Sequence, residues 1–289
     1  MKLNNVLLST KQTGLEFYRN SYDDPRKVFP KRLVDKKEKE NKEHYENYEN
    51  IKKILTAYKI PFQRIYMPYA AYEEFKDRDL IISIGGDGTV LNSAHYIVDD
   101  TPILTVNSEK DSIGALCKIT AKMFEETLNK ILNDDYMIEK WTRVEGKLGH
   151  NIDLALNDIV FQKPFGSMIN YQLTLNDKLE EQRSTRIIVS TGAGSTGLYH
   201  NIKNQKEAFS PTALELRFAP SEDILDKHYK MNHGYLYPGD ILQITSLTDC
   251  DGFISFDGDS HKRLLSFPFG QKLYAKISDK PLNVIIPKI

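Results

Sequence analysis

The sequence predicts an α/β N-terminal half of Rossmann-like type joined to an all-β, sandwich-like C-terminal half. Three observations predict it. Up to about residue 135, short β-branched runs alternate with segments of helical period, the pattern of a doubly wound parallel sheet. From residue 136 the apolar period changes to two. The first half also carries a strand-like run that ends in glycines, L-I-I-S-I-G-G-D-G-T over 80–89, where ligands of open α/β sheets bind. The expected division is therefore 1–135 and 136–271.

Val6 to Leu8 reads as a short strand, followed by a polar loop and a charged stretch from Lys31 to Asn50. Tyr45, Tyr48, Ile51, Ile54, Leu55 and Tyr58 fall three or four apart, which predicts an amphipathic helix ending before Pro61. Its K-K-E-K-E-N-K-E run reads as the solvated face. Phe62 to Met67 is predicted as a second strand, Leu80 to Ile84 as a third, Thr89 to Val98 as a helix and Pro102 to Val106 as a fourth strand. A helix from Ala121 to Leu132 closes this half.

In the second half Ile152, Leu154 and Leu156 alternate, as do Ile169, Tyr171, Leu173 and Leu175, with Asn176-Asp177 as a hairpin turn. Leu214, Leu216 and Phe218 repeat the pattern, and so do Leu273, Ala275 and Ile277. Pro238-Gly239-Asp240 and Asp257-Gly258-Asp259 read as turns. Trp141, in a strand-like run, is expected in the core.

A chain of 289 residues has length for two cores. Its 39 Lys+Arg against 40 Asp+Glu leave a net charge of −1, which gives no sequence-wide attraction to nucleic acid or to an anionic membrane. No stretch approaches the ~20 apolar residues of a membrane span, and the N-terminus has neither a signal-peptide core nor an Arg/Ser-rich transit segment. Cys117 and Cys250 stand far apart without a Cys-x-x-Cys pattern, so a reducing, cytoplasmic setting is expected. Seven histidines are scattered, and His228 with His233 lacks a third ligand at metal spacing.

The chemistry concentrates in the glycine turn. Without Cβ atoms, Gly85, Gly86 and Gly88 let backbone N–H groups approach a polyphosphate closely, and Thr89 can open a helix whose N-terminus favours negative charge. Asp87 is out of place in a pure phosphate site, because a carboxylate repels phosphate unless it takes a proton or shares a metal. The alternative is a tight turn in which Asp87 is only a cap.

Three further motifs follow in the β-rich half. Asn157-Asp158 interrupts the apolar run A-L-N-D-I-V-F; Thr191 to Thr196 reads T-G-A-G-S-T after Ile187-Ile188-Val189; Ile254 to Asp259 reads I-S-F-D-G-D. Taken in order, G-G-D-G-T, N-D, G-S-T and S-x-D-G, the chain resembles the NAD kinase family over nearly its whole length. Val106-Asn107-Ser108-Glu109, Ser112 to Cys117 and T-G-A-G-S-T-G-L-Y-H-N-I are closest to the mitochondrial-type branch. The G-G-D-G-T loop by itself is also similar to that of diacylglycerol and sphingoid lipid kinases.

The resemblance implies transfer of the γ-phosphoryl of ATP to the 2′-hydroxyl of the adenosine ribose of NAD, with Mg²⁺ and with Asp87 as general base. It implies nucleotide contacts for Gly88 and Asn92, ribose hydroxyl contacts for Asn157 and Asp158, and adenine and ribose contacts for Thr196, Gly197 and Asn201, with Ser195 shaping the turn. It further implies a nucleotide crevice between the two halves, return of the final strands, within 272–289, to the first domain, and a homodimer. The chain departs from the common bacterial pattern at Ser184-Thr185-Arg186, Leu198-Tyr199 and Asp259. Arg183 and Arg186 are placed either to reach a cofactor phosphate or to pair with Glu180 and Glu181. Two other functions stay open: a lipid or sphingoid-base kinase, and a non-catalytic NAD(P)-binding sensor.

Overall fold

The computed structural model describes residues 1–109, 114–202, 205, 207–221, 229–249, 252–258 and 264–288. Its contacts separate two units: Met1–Glu139 with the chain from Asn283 onward, and Lys140–Leu282.

In the first unit the apolar runs form a sheet of seven strands among the described residues. Its order is Phe62–Tyr66, Val6–Thr10, Leu80–Gly85, Ile103–Asn107, Leu282–Pro287 and Tyr136–Trp141, with Ile119–Thr120 pairing beside Ile103–Asn107. The pairs around Leu80–Gly85 are parallel, Ile82 lying opposite both Leu8 and Leu104. Val6–Thr10 and Leu80–Gly85 are buried along their whole length, which is why they read as continuous apolar runs rather than alternating ones.

Helix Lys31–Ala57 lays Tyr48, Ile51 and Leu55 on one face of this sheet, joined there by Phe124, Leu128 and Ile131 of helix Phe124–Leu132. Burial of Ile51 and of Leu55 contributes roughly 1.5–3 kcal/mol each. Helix Asp87–Tyr96 packs against Val6–Thr10 and Leu80–Gly85. Inside that contact Ser93 Oγ donates to Thr89 O (2.8 Å) and lies 2.8 Å from Ser9 Oγ.

Several elements differ from the sequence expectation. The polar loop after the first strand holds two short helices, Gly14–Ser21 and Pro25–Val28. The first is closed by a capping box in which Thr13 and Glu16 satisfy each other's backbone N–H groups. The charged stretch and the amphipathic segment form one helix of 27 residues, begun at Pro30 and laced by Lys36–Glu40 and Lys42–Glu46 pairs.

The second unit is a sandwich of two antiparallel sheets, six strands each among the described residues. One runs Lys178–Ser184, Ile169–Leu175, Leu242–Ser246, Lys272–Ile277, Val144–Leu148, Asn151–Ala155; the other runs Gly234–Leu236, Leu216–Ser221, Arg186–Ser190, Asp158–Gln162, Phe253–Phe256, Leu264–Ser266. Tyr171, Leu173, Ile244 and Leu273 from the first meet Ile159, Phe161, Ile187, Val189 and Phe218 from the second in one core. Asn176 and Asp177 both have positive φ (48° and 61°), the twist a two-residue hairpin demands.

Ile152 is 60% exposed beside the Gly149 turn of an edge strand, and Leu214 is 64% exposed ahead of its strand, so the alternation there marks no buried face. The return of the final strands is shorter than 272–289. Lys272–Ile277 stays in the sandwich between Leu242–Ser246 and Val144–Leu148, and Leu282–Pro287 joins the first sheet, Val284 facing Ile103.

Candidate active site

The turn after Leu80–Gly85 is built by close packing. A Cβ on Gly85 would lie 2.0 Å from Thr89 Oγ1, whereas a Cβ on Gly88 would meet nothing within 4 Å. The first position is therefore glycine for the fold, and the second faces open space. The helix starts at Asp87 with Gly86 as its cap, two residues before the expected Thr89; Asp87 falls in its first turn, where a carboxylate suits the helix dipole. The N–H groups of Asp87 and Gly88 are among the first four of the helix and have no acceptor within it.

Thr89 is a packing residue here. Its side chain is buried against Gly85, and its N–H already donates to Gly86 O at 2.9 Å. Asn92 lies four residues after Gly88 on the same helical face, and both are exposed.

Asp87 is more than a cap. Its Oδ2 accepts Ala115 N–H and its Oδ1 accepts Leu116 N–H, both at 3.0 Å. The donating loop is in turn tied to the neighbouring strand, since Thr105 Oγ1 donates to Leu116 O (2.9 Å) and Lys118 N donates to Thr105 O (3.1 Å). The carboxylate thus has a fixed direction, and each oxygen retains a lone pair. Cys117, a free thiol nearby, is pushed up to about 12 by burial and then by the Asp87 charge, so it stays protonated.

In the second unit the Leu156–Asn157 bend precedes strand Asp158–Gln162. The Asp257 carboxylate gathers three N–H groups of that bend, from Leu156 (2.9 Å), Asn157 (2.6 Å) and Asp158 (3.3 Å). On its other side the T-G-A-G-S-T loop holds it: Thr191 N donates to Asn157 O at 2.9 Å, and Thr191 Oγ1 donates to Leu156 O. Gly194 sits so close that a Cβ would come within 2.2 Å of Asn157 O.

Two features of this bend are unspent. Asn157 Oδ1 is buried with no hydrogen-bond partner. Asp158 is only 4% exposed, and its carboxyl is pushed up to about 7 by burial and then by the neighbouring Asp257 charge. Ser195 is buried and bonds Gly192 O and Phe209 N, while Thr196 and Asn201 are exposed and Gly197 is half-buried.

The departures from the bacterial pattern have local structural roles. Thr185 Oγ1 donates to Ser221 O at 2.8 Å. Tyr199 is buried, its hydroxyl donating to Gln205, so its ring is not presented for base stacking, and the half-buried Leu198 packs beside it. Glu180 accepts from Lys230 N, Met231 N and Gln182, so of the two placements left open for Arg183 and Arg186, pairing with Glu180 is not the one its hydrogen bonds use. Asp259, Ser112, Ile113, Cys250 and His228 lie outside the described residues.

Sequence reading missed the tethers of both turns. Backbone N–H groups such as those of Ala115 and Leu116 carry no side-chain signature, and Asp257 was visible as a turn residue within the S-x-D-G motif, without the bend that it holds. It also missed the Lys11–Glu109 ion pair, whose signal is a cation directly after a buried strand.

The sequence profile of the ATP-NAD kinase N-terminal domain matches residues 24–136. A probable NADH kinase of Oryza sativa subsp. japonica is 29% identical over 239 residues, 73% of this chain and 72% of that protein. The NAD kinase of Chlorobium phaeobacteroides is 27% identical over 72% of this chain and 71% of its own length. Residues 24–136 thus carry the N-terminal domain of ATP-NAD kinases, and these two relatives, which span more than two thirds of the chain, are an NAD kinase and a probable NADH kinase. With some members of the NAD kinase family the match is shorter; that with the Prosthecochloris aestuarii NAD kinase is 34% identical but spans 47% of that protein. Among solved structures the fold is that of yeast NADH kinase complexed with NADH (TM-score 0.74, 14% identity, covering 99% of this chain and 84% of that one). It is equally that of an Archaeoglobus fulgidus NAD kinase in complex with ATP (TM-score 0.70, 18% identity, 98% and 93%).

Proposed function

We propose that this chain is an NAD kinase, transferring the γ-phosphoryl of ATP to the 2′-hydroxyl of the adenosine ribose of NAD to give NADP and ADP. The observation that carries the reading is a carboxylate, Asp87, fixed by two backbone N–H groups at the start of a helix whose next residue, Gly88, opens to free space. A secondary hydroxyl is a weak nucleophile at neutral pH, and a positioned base supplies about 10²–10⁴-fold. Asp87 takes the hydroxyl proton as the new oxygen–phosphorus bond forms and the bond from the γ-phosphorus to the bridging oxygen breaks, the leaving charge ending on ADP.

Gly85 and Gly86 shape the turn that receives the phosphates, and the first-turn N–H groups at Asp87 and Gly88, with Asn92 on the same face, meet the nucleotide. Asn157 and Asp158 hold ribose hydroxyls; the unpartnered Asn157 Oδ1 is an acceptor waiting for such a donor. Thr196, Gly197 and Asn201 stand exposed as adenine and ribose contacts. In this reading Mg²⁺ arrives on the ATP phosphates, as it commonly does in phosphoryl-transfer sites. When bound, that ion screens the triphosphate charge.

The matched relatives are NAD and NADH kinases, and no observation favours the lipid kinase or sensor readings. No described helix is long and apolar enough to cross a membrane. A cytoplasmic setting, membership of the mitochondrial-type branch and a homodimer complete the proposal; the free Cys117 fits a reducing compartment. The test is to incubate the protein with ATP, Mg²⁺ and NAD, with NADH in parallel, and to read NADP with an NADP-specific dehydrogenase. Label from ATP should appear at the adenosine ribose of NAD and be absent from 2′-deoxy-NAD, sphingosine and diacylglycerol. Label in a lipid or in the 2′-deoxy compound overturns the reading.

A further inference from the structure

The long helix Lys31–Ala57 carries two polar side chains that its packing role does not explain. His44 is fully buried, with Nδ1 at 2.8 Å from Ser108 Oγ and Nε2 buried without a partner. One turn on, Asn47 Nδ2 donates to Ser108 O at 2.9 Å. Both grip the same residue.

Ser108 is the first residue beyond strand Ile103–Asn107, where the ladder with Leu80–Gly85 has just ended at the Gly85–Asn107 pair. Its own N–H reaches back across that gap and donates to Gly85 O at 3.1 Å. Gly85 O belongs to the peptide that leads into Gly86 and Asp87. The order of contacts is therefore helix, Ser108, Gly85, Asp87, every link a hydrogen bond or a peptide within the first unit.

We infer that His44 and Asn47 are positioning residues for phosphoryl transfer, clamping Ser108 so that its N–H fixes the Gly85 carbonyl and, through it, the direction of Asp87. This rests on the NAD kinase reading of Asp87. A buried imidazole with an orphaned nitrogen is costly, so a leucine in its place would suit the core better if packing were its only task. Burial, with the Lys11 and Arg64 cations adding to it and Glu16 opposing, lowers the imidazole to about 4. The ring is thus neutral at physiological pH, able to serve as a fixed hydrogen-bond partner and unsuited to act as a charge. A displacement of about 1 Å at a reacting group can cost up to ~10²-fold in rate without touching substrate affinity, which sets the scale of the effect.

The test compares His44→Leu, His44→Asn and Ser108→Ala with the wild type. Asn places a polar atom near the position of Nδ1 and keeps the contact to Ser108; Leu fills the space without it. His44→Leu and Ser108→Ala should each lower kcat about tenfold with KM for NAD and for ATP within about twofold. His44→Asn should recover most of the loss. The double variant His44→Leu/Ser108→Ala should be no slower than either single one, because both cut the same link. Amide exchange at Ser108 should quicken in His44→Leu, a readout independent of turnover. An unchanged kcat in folded His44→Leu and Ser108→Ala, an Asn variant no better than the Leu variant, or additive losses in the double variant overturns the clamp. If the wild type forms no NADP, the functional reading fails instead, and unchanged Ser108 exchange in His44→Leu overturns the clamp on its own.

Discussion

Asp87 and Asp257 use the same device to opposite ends. Each places a carboxylate against backbone N–H groups of a loop far away in sequence, yet Asp87 accepts two and Asp257 accepts three. Asp87 sits half-exposed beside an open glycine, with capacity left on both oxygens. Asp257, also half-exposed, gives three acceptor positions to the Leu156–Asp158 bend and thereby sets its negative charge next to the buried Asp158 carboxyl. On the proposed function two bonds aim a reactive group, whereas three make a brace. Exposure and a neighbouring open glycine are common to both carboxylates, so what separates them is the hydrogen bonding that each oxygen carries and the loop that it holds.

The sharpest way to break this contrast is Asp87→Asn. Turnover should fall at least ~10²-fold while NAD affinity, read by calorimetry, changes little. One amide edge would then present N–H to the N–H of Ala115 or Leu116, so a modest fall in melting temperature is expected as well. A folded variant with unimpaired turnover would make Asp87 a brace like Asp257.

Asp257→Ala should show the reverse profile. Three part-buried N–H groups lose their acceptor and recover water incompletely, which costs roughly 1–2 kcal/mol of stability of the second unit. Denaturant titration measures it. Asp257 is assigned no role in proton transfer, so turnover at saturating substrate should fall by much less than in Asp87→Asn.

The brace has an electrostatic consequence at Asp158. Its carboxyl is raised from 3.8 to about 7, by burial first and by Asp257 second, so the folded state holds a proton that the unfolded chain has released. The favourable contribution is full below about pH 4 and is lost as pH rises through 7. Thermal stability should therefore decline between pH 5 and pH 8, and Asp158→Asn, which cannot ionise, should flatten that decline and be the more stable protein at pH 8. Equal slopes in the two proteins would remove Asp158 as the titrating group.

How much of this was legible in the sequence follows from where the signal lies. Leu80–Gly85 announced itself because a strand buried on both faces needs an unbroken apolar run, and Asp87 because a carboxylate among glycines conflicts with simple phosphate binding. Asn157-Asp158 stood out as a polar break in an apolar strand. The helix Gly14–Ser21 was missed although its Thr13-x-x-Glu16 capping box is a sequence signal, since the apolar periodicity of eight residues is short. The start of helix Asp87–Tyr96 was placed at Thr89 instead of Asp87 because the three glycines of 85–88 read as a turn that the helix would follow. Strand Lys272–Ile277 reads identically whichever unit takes it; pairing partners decide, and those are tertiary. The tethers of Asp87 are backbone groups that no residue type reveals.

The smallest expected effect separates the two turns most economically. Gly88→Ala adds a methyl where nothing lies within 4 Å, and Gly88 is helical with no positive φ, so the fold has no objection to it. Replacing glycine in a helix lowers the entropy of the unfolded chain, and the variant should match the wild type or gain up to about 0.5 kcal/mol. In the second unit Gly194→Ala would drive a methyl to 2.2 Å from Asn157 O, a backbone atom that Thr191 N–H already holds, and should destabilise plainly. If the space beside Gly88 is where phosphate oxygens lie, the same methyl that leaves stability untouched should raise KM for ATP several-fold while KM for NAD stays near its wild-type value. A Gly88→Ala protein with unchanged KM for ATP would show that the opening at Gly88 is solvent and not part of the phosphate cradle, leaving the N–H groups of the helix start without their proposed ligand.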